Sequence, residues 1–407
     1  MKKAELLAPA GTLEKLKMAV HYGADAVYVG GKEYGLRAYA GNLSLAEIKE
    51  GVEFAHARGA KVYVTVNIFA HNEDLDGLPV YLRKLEESGA DAVIVSDAGV
   101  WAILKEMKCR LPVHLSTQAN TTNWAAAKFW EEQGVQRIIL ARELSLEEIK
   151  RIRREVKLDL EMFVHGAMCI SYSGRCLLSN YMAGRDANSG ECAQPCRWNY
   201  ALVEEKRPGE YYSLEEDERG SYIFNSQDLC LLDHLPQLIE AGVDTFKIEG
   251  RMKSVHYVAT VVNVYRRALD AYYQEPANYA ADPAWREEIT KVSHRDYTTG
   301  FLYGKPQAAD HNYADSSYLR NYDFVGLVLE YDTVSGWATV EQRNNFKVGD
   351  ELEFTGPQTP LFTQTLTQMK DETGGAIEVA PHPQQIVRIP VDRLVRKWDL
   401  IRRAHHE

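Results

Sequence analysis

From residue 5 to residue 250, short apolar runs alternate with longer amphipathic stretches. The runs are "ELLAPA" from Glu5, "AVYVG" from Ala26, "KVYVTVN" from Lys61, "AVIVS" from Ala92, "PVHLST" from Pro112, "RIILA" from Arg137, "LEMFVHG" from Leu160 and "FKIEG" from Phe246, eight in all. Between them, stretches such as "LAEIKEGVEFAHARG" and "LEEIKRIRREV" have the spacing of amphipathic helices. "HYGADAVYVG", "ESGADAVIVS", "EQGVQRIIL" and "EAGVDTFKI" repeat one joint: a helix end, a glycine, the next strand. Strands apolar on both faces belong to a parallel sheet covered by helices. Eight such units in roughly 250 residues predict an α/β fold, a (β/α)8 TIM-like barrel rather than an open sheet.

After about residue 320 the period changes to two. "DFVGLVLEYD", "WATVEQRNN", "GDELEFTG", "LFTQTLTQM" and "QIVRIPV" are short strands separated by Gly, Asp and Asn turns. They predict a small all-β, barrel-like C-terminal domain. The expected division is residues 1–310 for the barrel and 320–407 for the all-β domain. That second domain reads either as an RNA-positioning module or as a packing partner of the barrel.

In such barrels chemistry gathers where the strands end. The polar residues there are Asn67, Ser96, Asp97, Ser116, Thr117, Gln118, Arg142, Glu143, His165, Glu249, Arg251 and Lys253. Each taken alone reads equally as a cap or a loop hydrogen bond. Directly after the seventh strand an insertion, about residues 165–230, replaces the usual short loop, and long insertions on the active face are usually functional.

The insertion holds most of the chain's six cysteines: Cys169, Cys176, Cys192, Cys196 and, at the expected start of the next helix, Cys230. Cys109 lies on the opposite, stability face and reads as a bystander. The start "MKKAELLAPAGTLEKL" has no apolar run of signal-peptide length, and no stretch approaches eighteen uninterrupted apolar residues. The expectation is a soluble cytoplasmic protein with no membrane partner, in which clustered thiols serve metals or redox chemistry rather than disulfides. The first cysteine pair is too widely spaced for a zinc knuckle, which favours an iron–sulfur cluster over zinc and leaves structural thiols as the remaining reading.

The net charge of −11 excludes a uniformly basic nucleic-acid-binding surface and leaves room for a local one. The tail "RLVRKWDLIRR" is the candidate, through Arg393, Arg396, Lys397, Arg402 and Arg403, with an ordinary solvated edge as the alternative.

"EMFVHGAMCISYSGRCLLS" resembles the signature of the collagenase-like U32 peptidase family, with Glu161, Phe163, Gly166, Ala167, Cys169, Gly174, Cys176 and Ser179 in matching places. "ELLAPAG", "GECAQPCRWNY", "FKIEGRMKS" and "YTTGFLYG" extend the resemblance over roughly residues 5 to 305. It implies an oxygen-independent hydroxylase carrying a 4Fe-4S cluster, with prephenate as the source of the hydroxyl group. A barrel followed by one small domain is similar to the members that form 5-hydroxyuridine at the wobble position of tRNA. Other members act on ribosomal RNA or a ubiquinone precursor. The expected cluster ligands, which resemble the family's usual set, are Cys169, Cys176, Cys192 and Cys230. Cys196 is held in reserve, because Pro195 restricts its backbone. The two carboxylates of prephenate call for fixed cations, for which Arg251, Lys253 and Arg142 are candidates. His165 completes the expected catalytic set.

The family name also keeps a peptidase reading alive. No G-x-S-x-G elbow and no H-E-x-x-H motif occurs in the sequence, and one cysteine nucleophile paired with His165 does not account for the other thiols. A non-catalytic RNA-binding or iron–sulfur carrier protein is the third reading.

Overall fold

Eight parallel strands close into a barrel: β1 (Glu5–Ala10), β2 (Ala26–Gly30), β3 (Lys61–Val66), β4 (Ala92–Val95), β5 (Val113–Leu115), β6 (Arg137–Ile139), β7 (Asp159–Ala167) and β11 (Thr245–Ile248). Closure comes from β11, which pairs in parallel with both β1 and β7. All eight coincide with the apolar runs of the sequence. The structure, a computed structural model, describes residues 2–35, 41–68, 70–168, 178–183, 193, 201–203, 211–213, 227–304 and 319–405.

The helices between the strands are α1 (Leu13–His21), α2 (Leu45–His56), α3 (Asn72–Leu75), α4 (Leu78–Glu87), α5 (Ala98–Glu106), α6 (Trp124–Glu132) and α7 (Leu146–Glu155). Ser44 and Ser145 start α2 and α7 with reciprocal capping boxes to Glu47 and Glu148, which satisfies amide groups that the first turn leaves without partners. Within the insertion lie α8 (Leu178–Ala183) and a hairpin of β8 (Ala201–Val203) with β9 (Tyr211–Ser213). After it come β10 (Asp228–Cys230), α9 (Leu235–Glu240), the long α10 (Val255–Gln274), α11 (Pro283–Thr290) and β12 (Tyr297–Thr298). Cys230 is therefore the last residue of a strand, not the first of a helix as the sequence suggested. The chain leaving the insertion finds the unpaired end of β7 and adds to it before any helix begins.

The barrel interior is not filled by aliphatic side chains alone. Glu161, fully buried on β7, lies 2.7 Å from Lys247 Nζ and 3.3 Å from Arg137 Nη1. Arg137 also reaches Glu5 at 2.7 Å, and the Tyr63 hydroxyl donates to Glu5 at 2.9 Å. Burying these charges is tolerable because each is paired, and removing one partner would strand another. Burial pulls the Lys247 ammonium below its ordinary pKa, and Glu161 works against that shift.

The C-terminal domain is all-β. Its main sheet contains β13 (Tyr322–Asp332), β14 (Trp337–Gln342), β16 (Glu351–Thr355), β17 (Phe362–Thr365), β18 (Met369–Asp371), β19 (Ala376–Ile377), β21 (Ile386–Pro390) and β22 (Leu400–Ala404), in the order β17-β16-β22-β13-β14-β21-β18-β19. A ribbon of β15 (Phe346–Lys347) and β20 (Val379–Ala380) completes it. The strands wrap one core that includes Val325, Val340, Phe354 and Ile401.

Within the basic tail, β22 takes Arg402 away from the surface. "LIRRA" is an internal strand between β16 and β13, and Arg402 is 0% exposed. Its guanidinium grips Glu288 of α11 with two bonds of 2.7 Å and Glu353 of β16 with one of 2.8 Å. Leu400 packs with the barrel core while Ile401 packs with the domain's own, so this strand faces both bodies. Arg403 pairs with Asp350 at 2.5 Å. Arg393, Arg396 and Lys397 remain exposed. In the sequence nothing local to Arg402 reveals its acidic partners, 49 and 114 residues away.

Candidate active site at the barrel mouth

The seventh strand runs nine residues, beyond its neighbours, and its end carries the insertion. Gly166 makes this possible. Its φ is +103°, and a Cβ there would lie 2.8 Å from the Glu249 carbonyl oxygen. Only glycine permits both the turn and the approach. Against this end β10 runs antiparallel, with Asp228 opposite Ala167, Leu229 opposite Gly166 and Cys230 opposite His165. The insertion thus leaves the mouth at Ala167 and returns to it at Asp228.

His165 is 1% exposed and ringed by aromatic side chains, with the rings of Tyr297, Tyr265 and Tyr257 at 5.4, 5.5 and 6.0 Å. Burial pushes its pKa down to about 3; Lys253 and His294 add to the shift and Glu249 opposes it. The imidazole is therefore neutral at physiological pH. The Tyr265 hydroxyl, from the middle of α10, donates to the Val164 carbonyl at 2.8 Å. Its oxygen then lies 3.4 Å from His165 Nδ1 and 3.9 Å from Cys230 Sγ, where it can accept from either. Burial pushes the Cys230 thiol up to about 11.

The expected cations stand at different points around the mouth. Arg142 Nη1 donates to the Ala167 carbonyl at 2.6 Å and lies over the Phe163 ring at 4.5 Å, so it holds the point where the insertion begins. Arg251, 4% exposed, reaches across to Thr65 at 3.1 Å and Asn42 at 3.0 Å. Lys253 Nζ donates to the Ser293 carbonyl at 3.0 Å and stands 5.2 Å above the Tyr257 ring. The Glu249 amide donates to the His165 carbonyl at 2.8 Å, tying β11's end to β7's.

The other polar strand ends form a separate network. Asn67 donates to Gln118 at 2.7 Å, Ser96 to the Asn67 carbonyl at 3.0 Å, and Thr117 to the Leu140 carbonyl at 3.0 Å. Asp97 caps α5, and Ser116 caps the turn that follows it. These residues fix the loops above β3 to β5. Tyr257, Tyr265, Tyr297, His294, Thr65 and Asn42 were not expected in the site. The signal available was a pair of α10's four tyrosines, Tyr257 and Tyr265, eight residues apart on a largely buried helix and each needing a hydroxyl partner.

Cys169, Cys176, Cys192 and Cys196 lie outside the described residues. Among the described residues no three His, Cys, Asp or Glu side chains converge on a metal position. Cys230 fits a metal-ligating role by place and chemistry: a half-buried soft donor at the mouth, delivered from a segment separate from the other cysteines.

A model of peptidase family U32 matches residues 11–312, and one of the family's C-terminal domain matches residues 320–402. The chain belongs to peptidase family U32. Within this family it is 48% identical to tRNA hydroxylation protein P1 of Bacillus subtilis (strain 168), over 99% of this chain and 95% of that one. It is 40% identical to tRNA hydroxylation protein P of Escherichia coli (strain K12), over 96% and 94% of the two chains. Collagenase of Porphyromonas gingivalis is 32% identical over 98% and 97%. In this U32 chain the two matched segments are clasped together by Arg402 and Glu288. No described helix is long and apolar enough to cross a membrane.

Proposed function

We propose that this chain is a cytoplasmic tRNA hydroxylase that forms 5-hydroxyuridine at the wobble position, with a 4Fe-4S cluster at the barrel mouth and prephenate as the source of the hydroxyl group. The observation that carries the reading is the placement of Cys230 opposite His165. It brings a thiol from the far end of the insertion to the strand from which the cysteine-rich segment departs. Cys169, Cys176 and Cys192 would complete the ligand set, with Cys196 in reserve. Relatives named for tRNA hydroxylation, matching nearly end to end, supply the substrate class.

When bound, such a cluster supplies one-electron and Lewis-acid chemistry. The chain's own residues supply the setting. Arg251 and Lys253 offer fixed positive charge to a dicarboxylate, and Arg142 steadies the root of the insertion. His165, neutral and screened by three tyrosines, offers a hydrogen bond without adding charge.

The collagenase relative favours a second reading, peptide hydrolysis. Its chemistry fits the described mouth poorly. A cysteine nucleophile needs a lowered thiol pKa beside a basic imidazole. Burial pushes the Cys230 thiol up to about 11 and His165 down to about 3, which disfavours a thiolate–imidazolium pair between these two, while Cys169, four residues after His165, lies outside the described residues. Nucleoside mass spectrometry of tRNA from cells with and without the protein tests the proposal. It expects 5-hydroxyuridine and its derivatives to disappear with the protein; their persistence would remove the reading.

A further inference from the structure

A cavity of about 540 Å³ opens where the barrel mouth meets the C-terminal domain. Its barrel side is formed by Glu249, Lys253 and the first turn of α10, and its other side by Arg320, Tyr322 and Phe324 at the start of β13. A volume in this range suits a small organic ligand or one unit of a polymer.

The lining has two chemistries. At one end α10, twenty residues long, begins at Ser254 and presents the partial positive charge of its free amides beside Lys253. Arg320 is 61% exposed and its only described ion pair is a loose 3.6 Å contact with Asp323. Arg343 also borders the cavity, but Glu14 and Glu341 already neutralise it. At the other end Phe324 and Tyr322 offer flat apolar faces, and Phe324 stacks on His256 with the rings 5.6 Å apart and 17° from parallel.

His256 supplies the independent observation. It lines the cavity, is 4% exposed, and its Nε2 has no hydrogen-bond partner among the described residues. A buried polar nitrogen without a partner is costly, and the nearest remedy is a polar atom of something that enters the cavity.

A ligand that joins an anion to a flat ring with a polar edge satisfies all of these features, and a nucleotide is such a ligand. We infer that the junction cavity is a subsite for one nucleotide of the RNA, its phosphate near Lys253, Arg320 and the start of α10, and its base along Tyr322 and Phe324 with an edge toward His256. The inference rests on the RNA-modifying reading above and deepens it. Because the cavity shares Glu249, Lys253 and Tyr257 with the mouth, the nucleotide it holds flanks the one that reacts. The C-terminal domain thereby acquires a role in positioning substrate, through one wall of the cavity rather than through Arg402, which is buried.

The test is equilibrium binding of tRNA to the full-length protein at several salt concentrations. It compares wild type, Arg320→Glu, His256→Phe and a control, Arg110→Glu, whose side chain is 88% exposed and lies outside the cavity. Arg320→Glu is expected to weaken binding about tenfold and to flatten the slope of log affinity against log salt by roughly 0.7 to 0.9 for the lost phosphate contact. His256→Phe keeps the ring stack and is expected to weaken binding about three- to tenfold, the worth of one hydrogen bond. The control is expected to bind as wild type does. Wild-type binding with Arg320→Glu unchanged in affinity and slope would overturn the subsite while leaving the RNA reading in place. Failure of the wild type itself to bind tRNA would remove the reading on which the subsite rests.

Discussion

Cys230 and His165 face each other in the ladder between β10 and β7, and the Tyr265 hydroxyl stands within 3.9 Å of the sulfur and 3.4 Å of the imidazole nitrogen. This relationship makes the end of the insertion part of the mouth. It also separates Cys230 from Cys109, which lies beyond α5 near the opposite face.

The first prediction follows from that separation. Anaerobically purified protein is expected to be brown, with about four irons per chain. Cys230→Ala is expected to lose the colour and iron, whereas Cys109→Ala and Cys196→Ala keep both. Iron analysis with the visible spectrum checks this, and retention of iron by Cys230→Ala alongside its loss in Cys196→Ala would reverse the ligand assignment.

A second prediction concerns the charged interior of the barrel. Glu161→Ala leaves Lys247 without its 2.7 Å partner and removes one of Arg137's carboxylates. Uncompensated buried charge of this kind costs about 3 to 5 kcal/mol. Denaturant titration is expected to show a lowered midpoint for the barrel, and a variant as stable as wild type would show that the remaining carboxylates suffice.

Arg402 gives the third. Its bonds to Glu288 and Glu353 join barrel to C-terminal domain, so Arg402→Met is expected to destabilise the protein by about 3 to 5 kcal/mol while the salt slope of tRNA binding stays unchanged. Calorimetry and binding, run at a temperature where the variant is folded, check the two halves. A flattened slope with unchanged melting would return Arg402 to the RNA-binding surface.

The same clasp predicts acid sensitivity. Burial opposes ionisation of Glu353, yet Arg402 and Lys291 overcome it and hold its carboxyl below the ordinary 4.5. The folded state therefore binds fewer protons than the unfolded state between the folded and unfolded pKa values, and stability rises with pH there. The contribution is complete above about 4.5 and is lost as pH falls through the lower folded value. Melting temperatures between pH 6 and 3 are expected to fall less steeply in Glu353→Gln than in wild type; parallel curves would show that Glu353 does not carry the effect.

The barrel was legible because its strands are buried on both faces. "AVYVG" and "AVIVS" have no polar alternation to confuse them, and each is announced by a glycine at the preceding helix end. Arg142, Arg251 and Lys253 could be placed at the mouth because they follow such strands closely, and His165 because it lies near the end of one. Their partners could not. Arg251 meets Thr65 and Asn42, 186 and 209 residues away, only because the barrel closes. Cys230 was misread as a helix start because "DLC" becomes a strand only when the end of β7 is there to receive it. "LIRRA" was misread for a related reason: in an internal strand facing a second domain, an arginine is buried as readily as a leucine once carboxylates meet it.

The most direct test of the account is an oxygen-free reaction of the purified, iron-loaded protein with unmodified tRNA and prephenate whose hydroxyl carries a heavy-oxygen label. Mass spectrometry of the digested tRNA is expected to find 5-hydroxyuridine at the wobble position, bearing the label and dependent on both iron and prephenate. An RNA left unmodified by fully iron-loaded protein, or a hydroxyl group free of the label, would contradict it.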